Sequence, residues 1–156
     1  MQISTKFTIA VHLLTVVAYF SESQKVTSDF LAGSIGSNPV IIRNIMGQLK
    51  EAGLIDIKRG PGGVTLEKKL TDISFLDIYK AVETNSEEVL FRFHENPNPL
   101  CPIGRTIHKS LDGALEEIQK NFEVELSKWT LADVYENSLD ELRKENKVFV
   151  LSRLSY

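Results

Sequence analysis

A chain of 156 residues, 42% of them hydrophobic, suits one domain with an accessory element and is too apolar in composition to be disordered. Its formal net charge of -3 hides an asymmetry: residues 1–70 hold 8 Lys and Arg against 5 Asp and Glu, whereas residues 71–156 hold 10 against 16. A polyanionic partner therefore belongs with the first half, and with a single cysteine, Cys101, no intrachain disulfide can form.

The first element is a helix over Thr5–Phe20. Its apolar run, Ile9 to Phe20, is interrupted by His12 and Thr15 and is shorter than the roughly 20 residues of a membrane span. The polar Ser21–Lys25 segment that follows has no small-x-small cleavage pattern. A buried helix in a cytoplasmic protein, with no membrane partner, is the expectation. Thr5 and Lys6 stand at its polar start, where free N–H groups and a cation could hold a phosphate or merely cap the helix.

A second helix begins at Thr27 or Ser28, with Asp29 favourably placed in the first turn. Leu31, Ala32, Ile35, Gly36, Ile42 and Ile45 then fall at the offsets a helix-turn-helix requires. Ala32 is small where two helices cross, and Gly36 can take the positive φ of the turn. The next helix should run from Pro39 to Ala52, because Asn38 is a good N-cap, proline suits the first helical position and Gly53 terminates. At 100° per residue Ile42, Ile45, Met46 and Leu49 face inward, and Val40, Arg43, Asn44, Gly47 and Glu51 outward. On a recognition helix Arg43 would donate to guanine, Asn44 to adenine, and Val40 would meet a thymine methyl. Gly47 suits a close approach of backbone to a partner. Thr27, Ser28, Ser37, Asn38 and Pro39, at the starts of the two helices, complete this candidate DNA surface.

Leu54–Lys58 and Val64–Glu67 alternate as strands do and form a hairpin, with Arg59, Gly60, Pro61, Gly62 and Gly63 at its tip. After a recognition helix this is a wing, able to lay Arg59 into a narrow minor groove. Lys6, Lys25, Lys58 and Lys68 would add salt-dependent attraction to phosphates.

Residues 1 to about 83 resemble the DNA-binding domain of the Rrf2 family of bacterial transcription regulators. The resemblance is carried by Ser4-Thr5-Lys6, Ile35 to Pro39, Leu49 to Ile55, Arg59 to Gly63, and Ile73 to Glu83 with its Ala81-Val82-Glu83 ending. It extends more weakly through the rest of the chain. Val64 stands where many members have a further glycine followed by an aromatic residue, so contacts at the wing tip are expected to differ.

Ser74 caps a short helix, Phe75–Glu83, with Asp77 as capping-box partner. From Thr84 to Pro102 the pattern breaks, and three prolines in the six residues 97–102 predict a stiff, extended linker. Ile103, Ile107, Leu111, Leu115, Ile118, Phe122, Leu126 and Trp129 then recur at spacings of three and four. They predict one helix over Ile103–Lys128, 26 residues or about 39 Å long. So small a domain cannot cover that stripe alone, and a second copy crossing it as a dimer is the economical solution; packing within one chain is the alternative. The resemblance implies a dimer built this way. A further helix, Leu131 to about Glu145, is capped by Thr130 with Asp133, and the tail from Val148 forms a strand or packs on a partner.

The predicted architecture is mainly α with a small β wing. A winged helix-turn-helix domain (1–83) is followed by a proline-rich linker (84–102), dimerisation helices (103–145) and a C-terminal tail (146–156). In cluster-binding members of the family three linker cysteines hold an iron–sulfur cluster. Here only Cys101 matches, so neither a cluster nor another cofactor or metal is expected, and His94 and His108 beside it read as surface histidines. A lone thiol ahead of a helix is a candidate redox switch; the alternative is a structural cysteine. The expected function is a homodimeric transcription repressor binding a pseudo-palindromic operator. Alternatives are a winged-helix protein-interaction module without DNA affinity, and control by a small-molecule effector or partner protein rather than by thiol chemistry. Nothing assembles Cys101, His12, His94 and His108 into a nucleophile, base and orienting group, so no enzyme is expected.

Overall fold

The computed structural model describes residues 4–83 and 90–153, the last six of these as helix backbone. The first part of the expected linker, residues 84–89, lies outside the described residues, as do residues 1–3 and 154–156. Helices α1 (Thr5–Phe20), α2 (Ser28–Ile35) and α3 (Pro39–Glu51) are followed by strands β1 (Ile55–Lys58) and β2 (Gly63–Leu66). Helices α4 (Phe75–Val82), α5 (Ile107–Lys128) and α6 (Leu131–Arg153) complete the chain, with a 3-10 turn at Leu70–Asp72.

The first four helices start where their caps dictate. The Thr27 hydroxyl accepts from the Phe30 N–H at 3.2 Å, and Asn38 Oδ1 accepts from the Val40 N–H at 2.8 Å with Pro39 in the first turn. Ser74 and Asp77 form a reciprocal capping box, the Asp77 N–H reaching Ser74 Oγ at 3.1 Å and the Ser74 N–H reaching Asp77 Oδ2 at 2.9 Å. Gly36, at φ 70°, ends α2 in the left-handed conformation and turns the chain into α3.

One apolar core unites these elements. Ile42, Ile45, Met46 and Leu49 of α3 are buried against Ala10, Leu13, Leu14 and Val17 of α1 and Leu31 of α2. Val64 from the wing, Ile78 of α4 and Leu131 of α6 close it. The antiparallel pair β1–β2 aligns Ile55 with Leu66 and Ile57 with Val64, which gives the hairpin one face against the core and one outward. Leu131 is drawn in because the chain returns from α5 alongside the start of α4. The Leu131 N–H donates to the Ile73 carbonyl and the Phe75 N–H to the Trp129 carbonyl, both at 2.8 Å. Phe75 meets Phe7 edge-on at 5.6 Å between ring centroids and stacks on Trp129 at 6.5 Å.

Three expectations are corrected. Helix α5 begins at Ile107, not Ile103, and has 22 residues rather than 26. Residues 99–106 form turns, so the linker is not extended throughout. The Thr106 hydroxyl donates to the Pro102 and Ile103 carbonyls at 3.0 and 3.2 Å, and Gly104 is packed so closely on the Asn98 carbonyl that a Cβ there would lie 2.5 Å from it. The close approach of Gly104 to Asn98 folds the segment back on itself ahead of the helix. Helix α6 runs beyond Glu145 to Arg153, so the described tail is helical and not a strand. No glycine or proline interrupts it, and Arg143–Asp140 and Lys144–Glu141 pairs, at 2.9 and 2.7 Å, support its outer turns.

Helix α5 packs on α4 through Phe122 and Tyr79, with ring centroids 5.4 Å apart, and through a Lys80–Glu123 ion pair at 3.8 Å. No residue of α5 is fully buried. Ile107, Leu115, Phe122 and Leu126 are half-buried, while Leu111, Ile118 and Trp129, with Ile103 ahead of the helix, remain exposed.

Because Leu131 belongs to the core of the winged domain, Leu131→Ala should destabilise the whole unit by about 2–5 kcal/mol. A single urea transition with a lowered midpoint is the expected record; an unchanged midpoint would detach α6 from that core.

Candidate nucleic-acid interface

Helix α3 presents its outer arc to solvent because its inner arc is consumed by the core. Val40 is 57% exposed, and Arg43, Asn44, Gly47 and Glu51 are exposed beside it. A Cβ at Gly47 would meet nothing within 4 Å, so the missing side chain leaves open space on the outer face rather than relieving an internal contact. Lys50, on the adjoining edge, is tied to Asp56 of β1 at 3.7 Å and links α3 to the wing.

The hydroxyls and amide at the helix starts have structural duties. Thr27 and Asn38 spend their side chains on capping, Thr27, Ser28 and Ser37 are half-buried, and Asn38 and Pro39 are exposed. Their contribution to an interface would come chiefly from the backbone N–H groups and positive dipole ends of α2 and α3. At the start of α1, Thr5 and Lys6 are exposed. Beside them the Ser4 hydroxyl donates to Glu83 at 2.5 Å, which sets a carboxylate near that helix end. A phosphate would have to share the position with that negative charge.

The wing is anchored at its base and free at its tip. The Val64 N–H donates to the Val26 carbonyl at 2.9 Å, joining β2 to the loop before α2, and the Lys25 ammonium donates to the Gly60 carbonyl. Gly63 makes the first of these contacts feasible. Its φ is 68°, and a Cβ would sit 2.7 Å from the Val26 carbonyl oxygen. Arg59, Gly60, Pro61 and Gly62 project beyond it, all exposed, with Lys58 exposed at the end of β1. Lys25 and Val26 were not singled out by sequence as wing supports. Their signal is faint: an apolar residue and a cation closing an otherwise polar loop.

One ion pair crosses the helix-turn-helix. Arg43 Nη2 lies 3.6 Å from Asp29 Oδ1, with side chains 58% and 82% exposed. Sequence reading assigned Asp29 only to the dipole of α2.

The linker brings other groups together. Its Leu90 N–H donates to Gln119 of α5 at 2.8 Å, and His108 lies against both Phe93 and His94, at centroid distances of 4.6 and 5.1 Å. The Cys101 thiol is free and exposed. It stands six residues ahead of Ile107, separated from α5 by the turns rather than directly ahead of the helix as expected. Among the described residues no three of His, Cys, Asp and Glu converge on a position that could hold a metal ion, and no helix is long and apolar enough to cross a membrane.

The Rrf2 family profile, described as an iron-dependent transcriptional regulator, matches residues 3–137. YwnA of Bacillus subtilis (strain 168), described as an HTH-type transcriptional regulator, is 38% identical over 132 residues, covering 85% of this chain and 96% of its own. A crystal structure described as that of a DNA-binding protein superposes with a TM-score of 0.67 at 32% identity, over 83% of this chain and 97% of the other. IscR of T. potens shares the fold, with a TM-score of 0.63 at 24% identity over 88% of each chain.

Gly63→Ala should weaken the attachment of the wing, since a side chain in the left-handed region costs about 1–3 kcal/mol and the Val26 carbonyl must also move. Faster amide exchange at Val64, together with a lowered melting temperature, is the expected result; Gly47→Ala, with open space around its Cβ, should leave both unchanged.

Proposed function

This chain belongs to the Rrf2 family of transcriptional regulators, which are DNA-binding proteins and not enzymes, and from that premise we propose that it is a homodimeric repressor of the cytoplasm. Two copies of α3 enter successive major grooves of a pseudo-palindromic operator, about 34–36 Å apart. The observation that carries this reading is the outer arc of α3. Val40, Arg43, Asn44 and Gly47 stand exposed on a helix whose other face is fully buried, with Arg59 free on an anchored wing beside it. Arg43 donates to guanine N7 and O6, Asn44 to adenine, and Arg59 enters the minor groove. Lys6, Lys25, Lys58 and Lys68, all exposed, supply phosphate attraction.

The dimer rests on α5. A helix of 22 residues with no buried side chain and with Leu111 and Ile118 open to solvent has an apolar face that a second copy would cover. The same face would also suit a partner protein, whereas the excess of basic residues in 1–70 favours DNA as the partner of the first half.

For the regulatory input, the exposed Cys101 thiol is the one redox-active sulfur group besides methionine in the sequence. Oxidation of two Cys101 thiols by one peroxide would give an intersubunit disulfide and two waters, changing the separation of the two readers. An iron–sulfur cluster does not fit this chain. Clusters take thiolates as their main ligands, and one exposed cysteine per subunit cannot supply them.

In a gel-shift titration on the chain's own promoter DNA, Arg43→Ala and Arg59→Ala should each raise the dissociation constant about tenfold or more, a loss of about 1–3 kcal/mol per specific contact. Equal binding by all three proteins would remove these contacts, and binding by none would leave a protein-interaction module. Ile118→Glu should shift the species seen in sedimentation from dimer to monomer. Cys101→Ser should abolish the response of DNA binding to peroxide; a response that persists would point to another effector.

A further inference from the structure

We propose that Asp29 sets the base specificity of Arg43: it is a positioning residue that holds the guanidinium for guanine and discourages its pairing with phosphate. The inference rests on the DNA-reading function proposed above and concerns a residue that the function itself does not use. An aspartate is out of place on a surface built to meet a polyanion, because its charge opposes phosphate wherever it stands. Helix α2 does not need it as a cap, since Thr27 already accepts from the Phe30 N–H. What it does have is a partner: Arg43 of α3, at 3.6 Å across the turn formed by Gly36.

The geometry of the two groups gives the pairing a consequence. A guanidinium carries five N–H donors in a rigid fork, so one edge can engage guanine N7 and O6 while another remains on a carboxylate. The Asp29 carboxylate thereby offsets the charge of Arg43 and favours the rotamers that keep the two groups together. In water such an exposed pair is worth little, but burial under DNA removes the screening and strengthens it. A phosphate approaching Arg43 meets the Asp29 charge as well, whereas a neutral base edge does not. Arginine alone would add indiscriminate affinity; arginine held by Asp29 adds contrast between guanine and everything else.

The test uses full-length protein and a randomised double-stranded library, from which binding sites are selected for wild type, Asp29→Asn, Asp29→Glu, Arg43→Ala and the Asp29→Asn/Arg43→Ala double variant. Wild type should select a guanine that Arg43→Ala does not. Asp29→Asn should relax that preference about three- to tenfold, bind unrelated DNA several-fold more tightly, and steepen the salt dependence by about one unit. Asp29→Glu should restore part of the preference. In the Arg43→Ala background Asp29→Asn should leave base preference unchanged. The proposal is overturned if Asp29→Asn scales binding to all sequences alike, or alters preference equally without Arg43. Failure of wild type to select any site would instead overturn the DNA reading on which it rests.

Discussion

Burial of one face of α3 is the constraint from which the rest of the molecule follows. Ile42, Ile45, Met46 and Leu49 enter a core shared with α1, the wing and the start of α6. A helix with four inward positions over two turns has no rotational freedom left without exposing them. Its outward residues are therefore fixed in direction by residues that never meet solvent. The same core receives Val64 from the wing, so the base of the hairpin and the helix that carries Arg43 belong to one packed unit. The base of the wing and the outer arc of α3 are thus set relative to each other without a direct contact between Arg43 and Arg59.

What was legible in the sequence was what is local. Asn38-Pro39, Gly36 and the Ser74–Asp77 pair set helix boundaries through contacts spanning four residues or fewer, and the buried and exposed arcs of α3 follow from its 100° period. The start of α5 was not legible, because the segment ahead of it folds back through Gly104 packing against Asn98. The extension of α6 was obscured by a change in composition after Glu145 that does not in itself break a helix. At the candidate interface the misses share one property. Asp29–Arg43, Lys25–Gly60 and Val26–Val64 join positions 14, 35 and 38 apart in sequence, so they exist only after the fold has formed.

The C-terminal helices are more than an appendage to the winged domain. Leu131 lies in the core of the winged domain, and backbone hydrogen bonds from Leu131 to Ile73 and from Phe75 to Trp129 join the α5–α6 junction to the start of α4. Between these stands Phe75, packed on Phe7 of α1 and on Trp129. A wholly independent dimerisation arm would not need such stitching. The arrangement makes the orientation of α5 a property of the winged domain, and conversely lets a force on α5 reach that domain.

That route constrains how any regulatory signal could work. The linker residues 90–94 lie ahead of Cys101 in the chain. They dock on α5, through Leu90 to Gln119 and through Phe93 and His94 to His108. Helix α4 packs on α5 by one side, at Tyr79 and Phe122, and on α3 by the other. A change at these residues bears first on α5, and reaches α3 either through α4 or by moving the whole winged domain relative to a second copy. The first path would distort a close-packed core, which resists small displacements. The second leaves each core intact and changes only the spacing between readers, so in the proposed dimer the second is the less costly way to release DNA.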